Sequence, residues 1–288
     1  MTNTATTILA CVDGSLYTDS VCHHAAWASQ RLHAGIRLIH ISTPPVRYDG
    51  PADYSGTIGV GEVGALLEKL TEVDEARGKL DQHKGELIVE HAKALLTAAG
   101  NPPIDVLHRR GTLVETLAEL ESAAHVIVLG KRGEHADFAQ LHLGSNLERV
   151  VRAAQIPVLV CSRAFTSSDR FAIAYDGGPS IAKAIDYVVT NPLLKGLECH
   201  LLMVGRENEE TIALRDTAAG RLKQSGFAVQ THIQQGRPDQ VIAAYIEANA
   251  IGLLVMGAYG HSRIRNLVIG STTSAMLRSC RIPVLLFR

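Results

Sequence analysis

Short apolar runs and segments of helical spacing alternate along the whole chain. Thr7–Val12 (TILACV) and Ile36–Ile41 (IRLIHI) are rich in aliphatic residues, and such runs predict buried strands. Thr18–Leu32 lies between them and has helical spacing, and the alternation continues to a last predicted strand at Pro283–Phe287. This order is typical of a parallel sheet with helices on both faces.

The order of elements occurs twice, which predicts an internal duplication. Asp13 and Asp176 each follow a first strand, and their numbers differ by 163. Four later landmark pairs keep an offset of 127 or 126: Gly130 and Gly257, Gly133 and Gly260, Gly144 and Gly270, Pro157 and Pro283. The offset falls by 36 (163 − 127) between the first and fourth strands, where the first half has an irregular tract at 42–61 and a long helical segment. One insertion in the first half accounts for most of the difference. We expect the tract to be a surface loop rather than a lid.

The repeat predicts two domains, at 1–163 and 171–288, joined by a polar, serine-rich linker at 164–170. In open α/β sheets, ligands bind beyond the carboxyl ends of the strands where the strand order reverses. The first and fourth strands of each half end in polar or glycine-rich residues. We therefore predict two tandem α/β domains, each with a five-stranded parallel sheet of order 3-2-1-4-5 and a crevice between strands 1 and 4.

Composition and charge narrow the function classes. Apolar residues make up 46% of the chain, charged residues 20%, and the net charge is −1. Bulk charge therefore gives no support for a nucleic-acid or membrane-surface partner. No apolar run approaches the roughly 20 residues that span a bilayer, and the polar start MTNTATT does not resemble a signal peptide. These features predict a cytoplasmic protein.

Cysteine and histidine usage adds no metal site to this picture. The five cysteines include no CxxC pair, and Cys11 and Cys161 lie in strand-like runs, so we expect buried, reduced thiols. The thirteen histidines show no zinc-type spacing. We expect no metal except a magnesium ion that would arrive with a nucleotide.

The candidate chemistry lies in the segment from Gly257 to Thr272 (GAYGHSRIRNLVIGST). It follows a buried strand and leads into a helix. Glycines let the backbone approach a ligand closely, and the first amides of a helix favour an anion. For any single glycine we favour a turn or a helix cap, but the ordered set and its repeat in the first half predict a phosphate-binding loop.

These residues resemble the nucleotide motif of the universal stress protein family: Gly, two residues, Gly, nine residues, Gly, then Ser or Thr. Gly257, Gly260, Gly270 and Ser271 fit that spacing. The strand-end aspartate of the family is matched by Asp13 in VDGS and by Asp176 in YDGG. The resemblance covers nearly the whole chain as two fused copies.

The resemblance implies ATP binding, a role in surviving stress, and packing of the two halves about a pseudo-twofold axis. It leaves a homodimer of tandem chains open. The implied nucleotide site in the second half comprises Tyr175, Asp176, Val204, Gly257, Gly260, His261, Gly270, Ser271 and Thr272. The implied, weaker site in the first half comprises Asp13, Gly130, Gly133, Gly144 and Ser145.

Each role has a structural alternative. Asp176 would also cap the following turn, Ser271 and Thr272 would also cap a helix, and Val204 would also fit a packed core. Arg263 and Arg265 would reach a phosphate tail, but we favour a solvated loop for them.

The first half departs from the motif, since ten residues separate Gly133 from Gly144, and Asn146 stands where the second half has Thr272. Lys131 and Glu134 replace Ala258 and His261. We therefore expect ATP in the second half before the first.

The sequence has no Walker A lysine motif and no nucleophile elbow. A nucleotide-responsive regulator is the first hypothesis. The alternatives are a slow ATPase or autokinase that uses Ser271 or Thr272 as acceptor, and a nucleotide-free scaffold for a protein or lipid.

Overall fold

A computed structural model describes residues 7–42, 60–100, 102–133, 144–258 and 270–288. The description excludes the side chains of residues 60–68, 70 and 145. The expected surface loop at 42–61 lies almost wholly outside the described residues. The first half contains nine strands and helices within the described ranges: β1 (Thr7–Cys11), α1 (Thr18–Leu32), β2 (Gly35–Ser42), α2 (Val60–Ala98), β3 (Ile104–Arg110), α3 (Leu113–Leu120), β4 (Ala124–Gly130), α4 (Ser145–Ala153) and β5 (Val158–Cys161).

The second half repeats this order with shorter helices. Its described elements are β6 (Arg170–Ala174), α5 (Pro179–Thr190), β7 (Glu198–Val204), α6 (Glu209–Gln224), β8 (Val229–Gln234), α7 (Pro238–Ala248), β9 (Leu253–Gly257), α8 (Ser271–Ser279) and β10 (Val284–Phe287). α2 runs over 39 residues and α6 over 16 residues. The long α2, with the tract before it, falls where the numbering offset predicted an insertion.

The strands form one ten-stranded sheet of order β3-β2-β1-β4-β5-β10-β9-β6-β7-β8. Within each half the pairs are parallel and the order is 3-2-1-4-5, which confirms the predicted fold class. The prediction did not include the joining of the two sheets. β5 and β10 pair in the antiparallel direction and make the sheet continuous.

The joint between the halves is symmetric. Leu159 pairs with Leu285, which is its own counterpart at an offset of 126. Val160 pairs with Val284, the counterpart of Val158. An antiparallel pair centred on equivalent residues has a local pseudo-twofold axis, as the resemblance implied.

Apolar side chains from both halves cover both faces of this joint. Leu159 and Leu285 belong to the core on one face, whereas Val158, Val160 and Val284 belong to the core on the other. Burial on both faces explains why these strands are continuously apolar rather than alternating. The two halves therefore share their hydrophobic cores.

Polar contacts also cross between the halves. The guanidinium of Arg31 in α1 donates to the carbonyls of Leu193 and Lys195. The ammonium of Lys131, which is buried, donates to the carbonyl of Cys280. Burial lowers the pKa of Lys131. Lys131, which stands where the second half has Ala258, thus links the first half to the second.

The structure describes the five cysteines as free thiols, and Cys11 and Cys161 are buried. Burial raises the pKa of Cys11 to about 12, so this thiol is protonated at neutral pH. None of the described helices is long and apolar enough to cross a bilayer.

Candidate functional site

A cavity of about 330 Å³ opens at the carboxyl ends of the second-half strands, where the order of the sheet reverses. β6 and β9 are neighbours there, and Ala174 pairs with Met256 at the carboxyl ends of the two strands. The chain leaves β6 through Tyr175 and Asp176, and leaves β9 through Gly257. The parallel pairing therefore brings residues distant in sequence to one edge of the sheet.

Seven of the nine residues implied for the second half line this cavity: Tyr175, Asp176, Val204, Gly257, Gly270, Ser271 and Thr272. Gly260 and His261 lie outside the described residues, as do Arg263 and Arg265. Val204 lines the cavity and also packs against the core, so its two predicted roles are compatible.

Helix α8 begins at the cavity without a side-chain cap. Gly270 occupies the N-cap position, and its amide donates to the carbonyl of Ala258 over 3.1 Å. Helix geometry leaves the amides of the first turn, including those of Ser271 and Thr272, without intrahelical partners. These amides form the positive end of the helix dipole, which favours an anion, and Ser271 and Thr272 also line the cavity.

A buried hydroxyl fixes the start of α8 against β9. Thr273 is 3% exposed, and its Oγ1 donates to the carbonyl of Gly257 over 2.9 Å. The amide of Ala258 donates to the carbonyl of Phe287 over 2.7 Å. The first bond therefore ties the start of α8 to the end of β9, and the second ties the residue after β9 to the end of β10.

Asp176 has the structural role that we considered, and it also lines the cavity. Its Oδ1 accepts a hydrogen bond from the amide of Gly178 over 2.9 Å. Gly177 has φ +75°, a left-handed conformation that glycine adopts without strain. The turn directs the chain away from β6 and leaves the carboxylate on the cavity wall.

Tyr175 adds an aromatic group beside this carboxylate. Its amide donates to the carbonyl of Leu202 over 2.8 Å, which extends the pairing of β6 with β7. Burial, with Asp176 nearby, raises the pKa of the Tyr175 hydroxyl. The phenol therefore remains neutral across the physiological pH range.

Sequence reasoning missed the wall that α7 contributes. Pro238 and Ile242 line the cavity, together with Leu202, Met256 and Thr273. Pro238 is the first residue of α7 and follows β8, so a proline at a helix start was the available signal. The packing of that helix against the strand ends had no signal in the sequence.

The first half has a larger cavity, of about 520 Å³, at the equivalent place. Asp13, Gly130, Gly133 and Gly144 line it, and the side chain of Ser145 lies outside the described residues. Asp13 Oδ1 accepts from the amide of Ser15 over 3.1 Å, as Asp176 does from Gly178.

The long helix α2 forms a wall of the first cavity, whereas its shorter counterpart α6 contributes none of the described residues that line the second cavity. Asp81, Lys84 and Ile88 of α2 line it. Gly85 of α2 lies against the rings of His40 and His108, where a Cβ atom would come within 2.5 Å of His108. The two cavities therefore have different chemistry despite the common motif.

Close groups of metal-ligating side chains are also absent from the described ranges: no three or more His, Cys, Asp or Glu residues come together there.

Comparison with known proteins identifies the family. The model described as "Universal stress protein family" matches residues 4–162 and 200–288. A universal stress protein of Synechocystis, Slr1230, is 38% identical over 286 residues, which covers 98% of this chain and 99% of that protein. A universal stress protein of Mycolicibacterium smegmatis is 23% identical, over 98% of this chain and 96% of that protein.

A solved structure supports the fold. The crystal structure of a universal stress protein from Archaeoglobus fulgidus aligns with a TM-score of 0.71 at 21% identity, over 99% of this chain and 98% of that one. The motif, the tandem fold and these matches agree, and the chain belongs to the universal stress protein family.

Proposed function

We propose that the second-half cavity binds an adenine nucleotide, ATP, and that the chain acts as a nucleotide-responsive regulator of a stress response. One observation carries the proposal: a single cavity is lined by a strand-end carboxylate, Asp176, and by the uncapped start of α8 at Gly270–Thr272. The carboxylate is an acceptor for base or ribose donors, and the helix start supplies donors for phosphates.

The volume of the cavity is consistent with a small ligand. Ligand sites are commonly 300–1,000 Å³ and mostly apolar, with a few polar groups that fix orientation. Leu202, Ile242 and Met256 supply apolar lining at about 330 Å³. The base would lie among these side chains, and magnesium would enter only with the phosphates.

The first-half cavity is proposed as the weaker nucleotide site. Its segment between Gly133 and Gly144 is one residue longer than in the motif. Lys131, two residues before Gly133, donates a hydrogen bond to the carbonyl of Cys280 in the other half. One extra residue either bulges out of the loop or displaces the amides that would face phosphates, and we infer the second outcome. We expect about one tightly bound nucleotide per chain.

Thermal unfolding with and without millimolar ATP tests the proposal. At a ligand concentration one hundred times the Kd, binding stabilises the folded state by about 2.7 kcal/mol. That corresponds to a rise in Tm of roughly 5–10 °C, at about 2–4 °C per kcal/mol for a folding unit of 150–250 residues.

Asp176→Asn is the matched variant, because its amide oxygen still accepts from Gly178 while one carboxylate acceptor is lost. We expect it to bind ATP about 10-fold or more weakly, since hydrogen bonds to charged groups are worth roughly 1.5–3 kcal/mol. Asp13→Asn is the control in the first half and should retain most of the shift. An equal shift for wild type and Asp176→Asn would refute the proposed site.

A further inference from the structure

A cluster of ionisable side chains lies beneath α7 in the second half. It comprises Glu198 and His200 on β7, His232 on β8 and Tyr245 on α7. His200 is 2% exposed, and its Nδ1 lies 2.8 Å from the hydroxyl of Tyr245. The rings of His200 and His232 are 6.4 Å apart and within 10° of parallel. The proposed nucleotide site uses none of these side chains.

The other ring nitrogen of His200 determines the tautomer. Nε2 is buried and makes no hydrogen bond to the described residues, and its nearest charge is Glu198 Oε1 at 3.8 Å. A lone pair facing a carboxylate is repelled, whereas an N–H facing it is attracted. We therefore assign the proton to Nε2, so that Nδ1 accepts the hydroxyl proton of Tyr245.

Protonation of His200 would break this arrangement. Once Nδ1 carries a proton, it can only donate to the hydroxyl oxygen of Tyr245, so the hydrogen bond reverses and the hydroxyl hydrogen must turn away from the ring, which no longer accepts it. The resulting cation is attracted to Glu198, on the side of the ring away from Tyr245. The proton thus places a poorly hydrated charge between β7 and α7 and takes from the Tyr245 hydroxyl hydrogen its acceptor on the ring, and both effects oppose the packing of α7 on β7.

The groups around the ring set the pH of this change. Burial lowers the pKa of His200 from 6.5; His232 on β8 and Arg170 on β6 lower it further, whereas Glu198 raises it. Tyr245 on α7 stays neutral, since burial raises its pKa to about 12. The change therefore occurs below pH 6.5, in the acid range.

The same helix forms a wall of the candidate cavity. Pro238 and Ile242 of α7 line that cavity, and Ile242 lies one turn from Tyr245 on the same side of the helix. Leu202, two residues beyond His200 on the same face of β7, lines it as well. A shift of α7 relative to β7 therefore changes the shape of the cavity.

We propose that His200 is a positioning residue for the second-half cavity: its neutral ring holds α7 through Tyr245, and its protonation loosens that wall and weakens nucleotide binding in acid. The inference rests on the proposed function for the ligand, but the contact between His200 and α7 does not. It makes the affinity of the site dependent on pH.

The test measures the Kd for ATP at pH 7.5 and pH 5.5 in wild type, His200→Gln and Tyr245→Phe. Glutamine still hydrogen-bonds the Tyr245 hydroxyl and does not titrate. ATP itself gains a proton in this range, which changes the Kd in every variant. The effect of His200 is therefore the fold-change in Kd between the two pH values in wild type, divided by the same fold-change in His200→Gln. We expect wild type to lose at least 5-fold more affinity than His200→Gln, the lower end of typical coupling between sites.

Two comparisons sharpen the result. Tyr245→Phe removes the hydroxyl that responds to the proton, so its affinity should change with pH as that of His200→Gln does; it also carries the test if His200→Gln does not fold. His24→Gln removes another buried histidine, on α1 of the first half, and should keep the wild-type ratio. Equal pH profiles for wild type and both cluster variants would overturn the inference.

Amide hydrogen exchange in α7 without nucleotide separates this inference from the proposed function. Comparing wild type with His200→Gln at each pH removes the intrinsic pH dependence of exchange. Faster exchange of 238–248 at pH 5.5 in wild type alone supports the positioning role even if no protein binds ATP. The same exchange in both proteins refutes it, whatever the nucleotide result.

Discussion

Stability of the fold in acid should depend on His24, which links the first half to the connecting segment. His24 is 2% exposed, and its Nδ1 donates to the carbonyl of Ser20 over 2.7 Å. Ser20 Oγ in turn donates to the carbonyl of Ser162 over 2.7 Å. The ring meets Phe165 edge to face at 4.9 Å. A positive charge on this imidazole would be poorly hydrated, because the side chain is buried.

The size of the stability loss in acid follows from the pKa of His24. Burial lowers the pKa of His24 from 6.5 to about 4, so the folded state favours the neutral ring. Its contribution to stability is complete above pH 6.5 and is lost as the pH falls toward 4, because the unfolded chain binds the proton first. The loss is about 1.4 kcal/mol at pH 5.5 and about 3 kcal/mol at pH 4, at 1.36 kcal/mol per pKa unit.

Urea unfolding of wild type and His24→Gln at pH 7.5 and pH 5.5 checks this prediction. Burial also lowers the pKa of His108, His125 and His200, so the fall in wild type exceeds the share of His24. The difference between the two proteins isolates that share. His24→Gln should lose about 1.4 kcal/mol less than wild type between the two pH values. If both proteins lose stability in parallel, the ring is not held neutral by burial and the reasoning fails.

Two further changes test the packing. Thr273→Val keeps the shape of the side chain but leaves the carbonyl of Gly257 without its 2.9 Å hydrogen bond. The free energy of unfolding should fall by about 0.5–1.5 kcal/mol in a urea titration, and the affinity for ATP should fall in calorimetry. Gly252→Ala would place a Cβ atom 1.9 Å from that of Ser168 in the connecting segment, and should lower stability by about 1–3 kcal/mol in the same titration. The control is Gly220→Ala in α6, where the added Cβ atom would have no neighbour within 4 Å, and it should raise stability by roughly 0.5–1 kcal/mol. Equal effects of the two alanine substitutions would contradict the packing of the connecting segment.

Apolar runs predicted the central strands because these strands are buried in a way that their residues reveal. Val158–Cys161 and Val284–Phe287 are continuously apolar, and strands covered on both faces have this pattern. The antiparallel joint between these two strands had no such signal. An apolar run indicates that β5 and β10 are buried but not which strand each one pairs with. Only the assembled sheet specifies that Leu159 pairs with Leu285.

The site was predictable where local geometry determines it. The turn after Asp176 and the start of α8 at Gly270 follow from residue type, since glycine adopts φ +75° at 177 and opens a helix at 270. The contributions of α2 and α7 were missed, because which helix covers a cavity depends on packing between distant segments. The domain boundaries at 163 and 171 stay a prediction; β6 begins at Arg170.

The departure of the first-half motif also has a physical reason that sequence comparison with the second half did not reveal. Lys131 stands where the second half has Ala258, and both side chains are buried. The lysine reaches a carbonyl of the other half, whereas the alanine fills the core. A residue that we considered for its effect on a ligand serves the joint between the halves.

The most direct test of the central proposal is a crystal structure of the protein grown with excess ATP. We predict density for a nucleotide in the second-half cavity, with phosphates against the amides of Ser271 and Thr272 and the base end beside Asp176. An empty cavity in that crystal, or a nucleotide bound only elsewhere on the chain, would contradict the account.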